Sequence, residues 1–130
     1  MPRSGSFILP LQAPGQSWGN AAGEAEIGTA ARNRGVHDTR RTRTIRWCGV
    51  FSAAGGASMV GVLQGSPDAS TWTDLASASI AATGAIEATA VSMPAALRIA
   101  SCKFRIVARN GDGVTTAVSG WVVAEGNPSR

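Results

Sequence analysis

Residues 42–51 read TRTIRWCGVF, and their alternation settles the class of fold. Large apolar side chains at Ile45, Trp47 and Phe51 alternate with Arg46, Cys48 and Val50, a period of two that turns one face of a strand inward. Downstream, SMVGVLQ (58–64) carries Val60 and Val62 on one face and Met59 and Leu63 on the other. A strand apolar on both faces belongs inside its sheet. TWTDLASASI (71–80) and AIEATAV (85–91) give two more strands, separated by AATG. SMPAALRIAS (92–101), with Pro94 ahead of an Ala-Leu run, predicts a short helical turn. KFRIVAR (103–109) and VTTAVSGWVV (114–123) flank NGDG, whose Asn-Gly and Asp-Gly steps suit a tight connection, so these two segments read as an antiparallel hairpin. Phe104, Ile106 and Ala108 are expected to face inward. Six or seven short strands spaced by turn signals predict an all-β fold, a β-sandwich or jelly-roll-like domain.

Composition agrees and adds a constraint. The chain has 130 residues, enough for one domain. Its hydrophobic fraction of 44% includes 23 alanines, so few side chains are large enough to fill an interior. A sandwich built over residues 43–130 with so dilute a core is marginal alone, and assembly would stabilise it. Residues 1–42 show neither a period of two nor one of 3.6. With Pro2, Pro10, Pro14 and six glycines, they read as an extended N-terminal arm. The arm's one apolar cluster, Phe7, Ile8 and Leu9, is a candidate anchor on a partner surface.

The formal net charge of +4 is placed unevenly. Through Arg46 seven arginines face three carboxylates, whereas the rest of the chain balances five against five. Arg32, Arg34, Arg40, Arg41 and Arg43 crowd the stretch RNRGVHDTRRTRTIR (32–46). A basic run is commonly a solvated segment. This one lacks interleaved aromatics and any nucleic-acid reading motif, which argues against nucleic acid as the ligand and favours docking on acidic protein groups through the planar arginine fork.

Nothing in the chain assembles a catalytic set. His37 is the only histidine and lies in the arm. A nucleophile with its base, or a metal with three or four ligands, needs more partners than this. Paired carboxylates are formally open among Asp68, Asp74, Glu87 and Asp112, but Asp112 sits in a turn that favours acidic residues for conformational reasons. The reading is therefore non-enzymatic, with no cofactor, metal or small-molecule substrate. Cys48 and Cys102 are expected to be buried free thiols. No apolar run reaches the ~20 residues of a membrane span, and FILPL is too short for the apolar region of a signal peptide.

The stretch QGSPDASTWTDL (64–75) holds an acid and a tryptophan close together. It is similar to the Asp-box turn S-x-D-x-G-x-T-W, one residue short and with serine in place of glycine. Asp68 is expected to cap the loop, with Trp72 covering an edge of the sandwich at a hairpin end. An exposed Trp72 stacking on a sugar is the alternative.

Residues 60–123 resemble small β-sandwich virion proteins of tailed bacteriophages. The resemblance rests on VGVLQGSPDASTWTDLASA, on MPAALRIAS and on FRIVARNGDGVTTAVSGWVV. It implies a capsid decoration (cement) protein on the virion exterior, assembled in the host cytoplasm and bound to the major capsid protein. It also implies a homo-oligomer, by analogy a trimer. A tail adaptor or fibre component, or a carbohydrate (receptor)-binding module, is the implied alternative.

Overall fold

The computed structural model describes residues 7–12, 17–18, 24–27, 38–53, 60–68, 70–80, 84–99, 101–109 and 116–128. Among them run β1 (Phe7–Gln12), β2 (Ser17–Trp18), β3 (Glu24–Ile27), β4 (Thr44–Ala53), β5 (Val60–Ser66), β6 (Thr73–Ser79), β7 (Gly84–Glu87), β8 (Val91–Ser92), β9 (Lys103–Arg109) and β10 (Thr116–Asn127). A 3₁₀ turn at Ala95–Leu97 fills the place where a helical turn is expected after Pro94.

The strands form two antiparallel sheets. In the first, the order is β1-β10-β4-β7, with β2 also on β10 and β8 also on β4. In the second it is β3-β9-β5-β6. Since β4 occupies one edge of β10, β1 and β2 must share the other; β7 and β8 likewise share the free edge of β4. The pairs β1·β10, β3·β9, β4·β7/β8 and β5·β6 are nested like the two limbs of one long hairpin. That ribbon is wound so that alternate pairs fall in opposite sheets, which is the jelly-roll arrangement.

This winding corrects two expectations. The described strands within residues 1–42 do not stand apart as an arm: Phe7–Gln12 pair with Val122–Gly126 and Glu24–Ile27 pair with Ile106–Arg109. They are the outer end of the ribbon, and they lack a local period because they are edge strands whose partners lie about a hundred residues away. Nor do β9 and β10 form a hairpin. Both edges of β9 are taken by β3 and β5, and those of β10 by β1/β2 and β4, so the chain changes sheets between them. The NGDG connection lies outside the described residues. Its turn chemistry permits a hairpin without requiring one.

The core follows the alternation read from sequence where that alternation was clear. Ile45, Trp47 and Phe51 are buried, as are Phe104 and Ile106, and β5 lies inside its sheet. Ala108 belongs to β9, but its side chain lies outside the described residues. Alanine dilution is offset by close approach at glycine. Trp47 lies against Gly61 across the two sheets, its indole Nε1 donating to the Gly61 carbonyl at 3.2 Å. A β-carbon on Gly61 would come within 2.8 Å of the Trp47 ring. Phe51 meets Trp47 edge-on, with centroids 6.4 Å apart. A bulge in β6 adds to the filling: register runs Val62↔Ser77 and then Gln64↔Asp74, so Leu63 faces two residues, Leu75 and Ala76, and both are buried.

Leu9 belongs to this core at 7% exposure, whereas Ile8, one residue earlier, is 67% exposed. Leu9 is thus a packing residue and not a partner anchor; pairing β1 onto β10 turns it inward opposite Ala124. Leu9→Ala should therefore lower unfolding free energy by about 2–4 kcal/mol in a urea titration. An unchanged midpoint would mean that the N-terminal strand contributes nothing to the interior.

Candidate functional site

Three surface clusters bring charged groups together. The first is the tip of the ribbon. β5 and β6 are joined through residues 67–72, so the QGSPDASTWTDL stretch is a hairpin end as expected. Asp68 Oδ1 accepts the backbone N–H groups of Ser70 and Thr71, both at 2.9 Å, and the Ser66 hydroxyl at 2.9 Å. These donors, the Thr71 N–H foremost, hold its carboxyl below the usual carboxylate range. Trp72 is half-buried, and the Arg105 guanidinium lies 4.3 Å from its ring centroid. One face of the ring on which a sugar would stack is therefore occupied.

Arg105 continues into a row across the outer face of the second sheet. Its Nε donates to Gln64 Oε1 at 2.8 Å, and Gln64 Nε2 donates to Asp74 Oδ1 at 2.8 Å. Gln64 is only 4% exposed, and this row supplies the partners its buried amide needs. Sequence reading does not reach this row, because β9, β5 and β6 are aligned only by register.

The second cluster lies on the outer face of the first sheet. Arg46 on β4 donates from Nε to Glu125 at 2.6 Å on one neighbouring strand, and from Nη1 to Glu87 at 3.2 Å on the other side. Arg46 and Glu87 side chains are 36% and 65% exposed, so the contribution is that of a surface pair, roughly 1 kcal/mol or less. Beside it an open depression is lined by Thr44, Ile45, Arg46, Ala90, Glu125 and Asn127. Cys48 is on this face and only half-buried, not buried as expected, because the same pleat that turns Trp47 inward turns Cys48 outward; Cys102 is buried. Both thiols are free, and burial pushes the Cys102 thiol up to about 11.

The third cluster is the middle of the basic stretch. Asp38 and Arg40 form a two-point ion pair, with Arg40 Nη2 to Asp38 Oδ2 at 2.6 Å and Nε to Oδ1 at 3.0 Å. This guanidinium, with the Arg40 backbone N–H on Oδ1, holds the Asp38 carboxyl at about 2. The Arg40 fork is thus engaged by a carboxylate of its own chain while the side chain stays exposed. Arg41 and Arg43 are exposed. Phe7 begins β1, and its side chain lies outside the described residues; Arg32, Arg34, His37 and Asp112 lie outside them altogether.

What fixes this cluster is Thr39, fully buried and unannounced by any sequence signal. Its N–H donates to Ile99 O at 2.9 Å, its hydroxyl donates toward the Leu97 and Ile99 carbonyls, and Ile99 N–H donates back to Oγ1 at 3.2 Å. Thr42 N–H closes the turn on Thr39 O at 3.0 Å, and Arg43 N–H ties its end to Asn127 O at 2.8 Å. Residues 39–43 are an anchored turn, not a loose solvated run. Phe7 pairs with Gly126, beside Asn127, so the turn's end and the start of β1 meet at one end of the sandwich.

Among the described residues no group of three or more His, Cys, Asp or Glu could hold a metal ion, and no helix is long and apolar enough to cross a membrane. No family model matches the chain, and no curated protein matches it in sequence. Solved structures similar in outline include murine APRIL, at 11% identity and a TM-score of 0.45 over 94% of this chain and 98% of that one. Another is Eiger TNF from S. frugiperda, at 11% identity and a TM-score of 0.39 over 92% and 94%. At such values the likeness adds nothing to the two-sheet outline that the strand order establishes.

The Asp68 turn gives a pH test. A carboxyl whose folded pKa is depressed contributes stability above its unfolded value, and that stability is lost as pH falls through the folded one. Asp68→Asn should be less stable than the parent at neutral pH, and the gap should close as pH falls below about 4, the unfolded range for Asp. Thermal melts across that window read the difference, and a gap independent of pH would assign Asp68 no electrostatic role.

Proposed function

We propose that this chain is a non-enzymatic structural protein of a tailed-phage virion, a capsid decoration protein that docks on acidic groups of the major capsid protein through its basic turn. The observation carrying this reading is the anchoring of residues 39–43. A loose arginine loop loses backbone and side-chain freedom when it binds, and that loss subtracts from affinity. Here Thr39 has already fixed the backbone, so Arg41 is presented from a rigid base. A single exposed arginine pair contributes little. Repeated over a symmetric shell, weak contacts add up through effective concentration. The jelly-roll sandwich and the sequence pattern of residues 60–123 fit a virion role, by analogy.

Because the first strands are part of the sandwich, deleting residues 1–42 would remove core along with contact, so a point variant is the cleaner probe. Arg41→Glu keeps the turn and reverses one exposed charge. Its occupancy on shells lacking the protein should fall about tenfold at equal concentration, as expected for a like-charge contact costing about 1.4 kcal/mol. Full occupancy by Arg41→Glu rejects the turn as the docking element.

A further inference from the structure

Each sheet ends in edge strands, and among the described residues no strand lies beyond β1/β2, β7/β8, β3 or β6. An edge accepts a further strand through its outward N–H and C=O groups unless something blunts it. Three of these edges are blunted. β1 carries Pro10 and a register shift between Pro10 and Gln12, and β2 beside it has two residues. β7 and β8 divide their edge into runs of four and two residues. β3 has four residues and holds Glu24 and Glu26, so a like strand laid antiparallel against it would set glutamate on glutamate. β6 differs. Its seven residues, Thr73–Ser79, include no proline, glycine or cation, and its one charged side chain, Asp74, is bonded to Gln64.

Past the bulge at Leu75 and Ala76, the regular end of β6 is complementary to itself. Ser77 and Ser79 are exposed on the outer face. Ala78 between them packs on the core yet is only half-buried, so the interior reaches this edge without being closed over. We propose that β6 pairs antiparallel with β6 of a second copy across a twofold axis at Ala78, which joins the two second sheets into one continuous sheet. The register selects the copy. With the axis at Ala78, Ser77 stands opposite Ser79 of the other copy on the outer face, hydroxyl beside hydroxyl, and Ala78 stands opposite its own counterpart on the inner face, where it extends the apolar interior. A slip of one residue would set each exposed serine against an inward alanine.

Charge agrees with this axis. Asp74 lies four residues from Ala78, so the two carboxylates fall on opposite sides of the axis. At about 3.3 Å per residue they are about 26 Å apart, well beyond the ~8 Å over which exposed charges act in physiological salt. The strand that would repel its own copy, β3, is the one at the other edge of the same sheet. A strand pair this short buries little area, so the association is weak and depends on concentration.

The test is the mass of the full chain by sedimentation equilibrium from about 5 to about 500 µM, a range that covers weak dimers. A mass rising from 13.2 kDa toward twice that value is expected. Two double variants at the exposed serines test the register. Ser77→Lys with Ser79→Lys sets cation against cation on both sides of the axis and should raise the dimer Kd about tenfold or more. Ser77→Lys with Ser79→Glu sets opposite charges there and should hold Kd within about threefold of the parent's. Both are surface changes, and circular dichroism matching the parent's checks that the fold is kept. A 13.2 kDa monomer at every concentration overturns the proposal, as does a Lys-Lys variant that associates like the parent, or a Lys-Glu variant that associates no better than Lys-Lys. A monomer whose Lys-Lys variant no longer occupies shells also overturns it, and assigns the edge to a strand of the shell protein. None of these outcomes involves Arg41, so the docking role of the basic turn is judged separately.

Discussion

The sandwich depends on one large side chain crossing between its sheets. Trp47 projects from β4 onto β5, and its indole N–H ends on the Gly61 carbonyl. A core this rich in alanine has few bulky residues to span the gap between sheets, roughly 10 Å face to face. Trp47 spans it only because position 61 has no side chain. Phe51 at its edge and Ile80 near Gly61 complete the contact. Gly65 repeats the device four residues further along β5, where Leu75, Leu97 and Phe104 crowd the space that a β-carbon would take. Glycine therefore sets the thickness of this interior as much as the apolar residues do.

The nested ribbon explains how local chemistry reaches the surface clusters. Its tip is the Asp68 turn, where side-chain and backbone bonds are all local, within three residues. Its open end gathers the first strand, the last strand and the basic turn, which is joined to the rest by bonds between residues 50 and more apart. Recognition surfaces at that end are assembled from both termini of the ribbon, whereas the Asp68 cap at the tip is encoded in one short run, with only Arg105 over Trp72 brought from β9. The tip could be read in advance, and the open end could not.

The surface charges follow the same division. Asp38 and Arg40 are two residues apart and pair within the turn itself. Arg46, Glu87 and Glu125 meet only because β4 lies between β7 and β10. A basic stretch that looks uniform in sequence is thereby sorted into an arginine with its own carboxylate, an arginine shared across strands, and the exposed Arg41 and Arg43 of the turn.

By itself the sequence determined the all-β class, the inward faces of β4 and β9, the buried place of β5 and the capped hairpin end at Asp68. Each is a matter of side-chain period or turn chemistry, which act over a few residues. Only the tertiary structure decided that Phe7–Gln12 and Glu24–Ile27 are strands, that Leu9 is core, that β9 and β10 part company, and that Thr39 anchors the basic turn. Those outcomes rest on which edges are still free when distant segments pair, and a strand's neighbours a hundred residues away leave no trace in its own pattern.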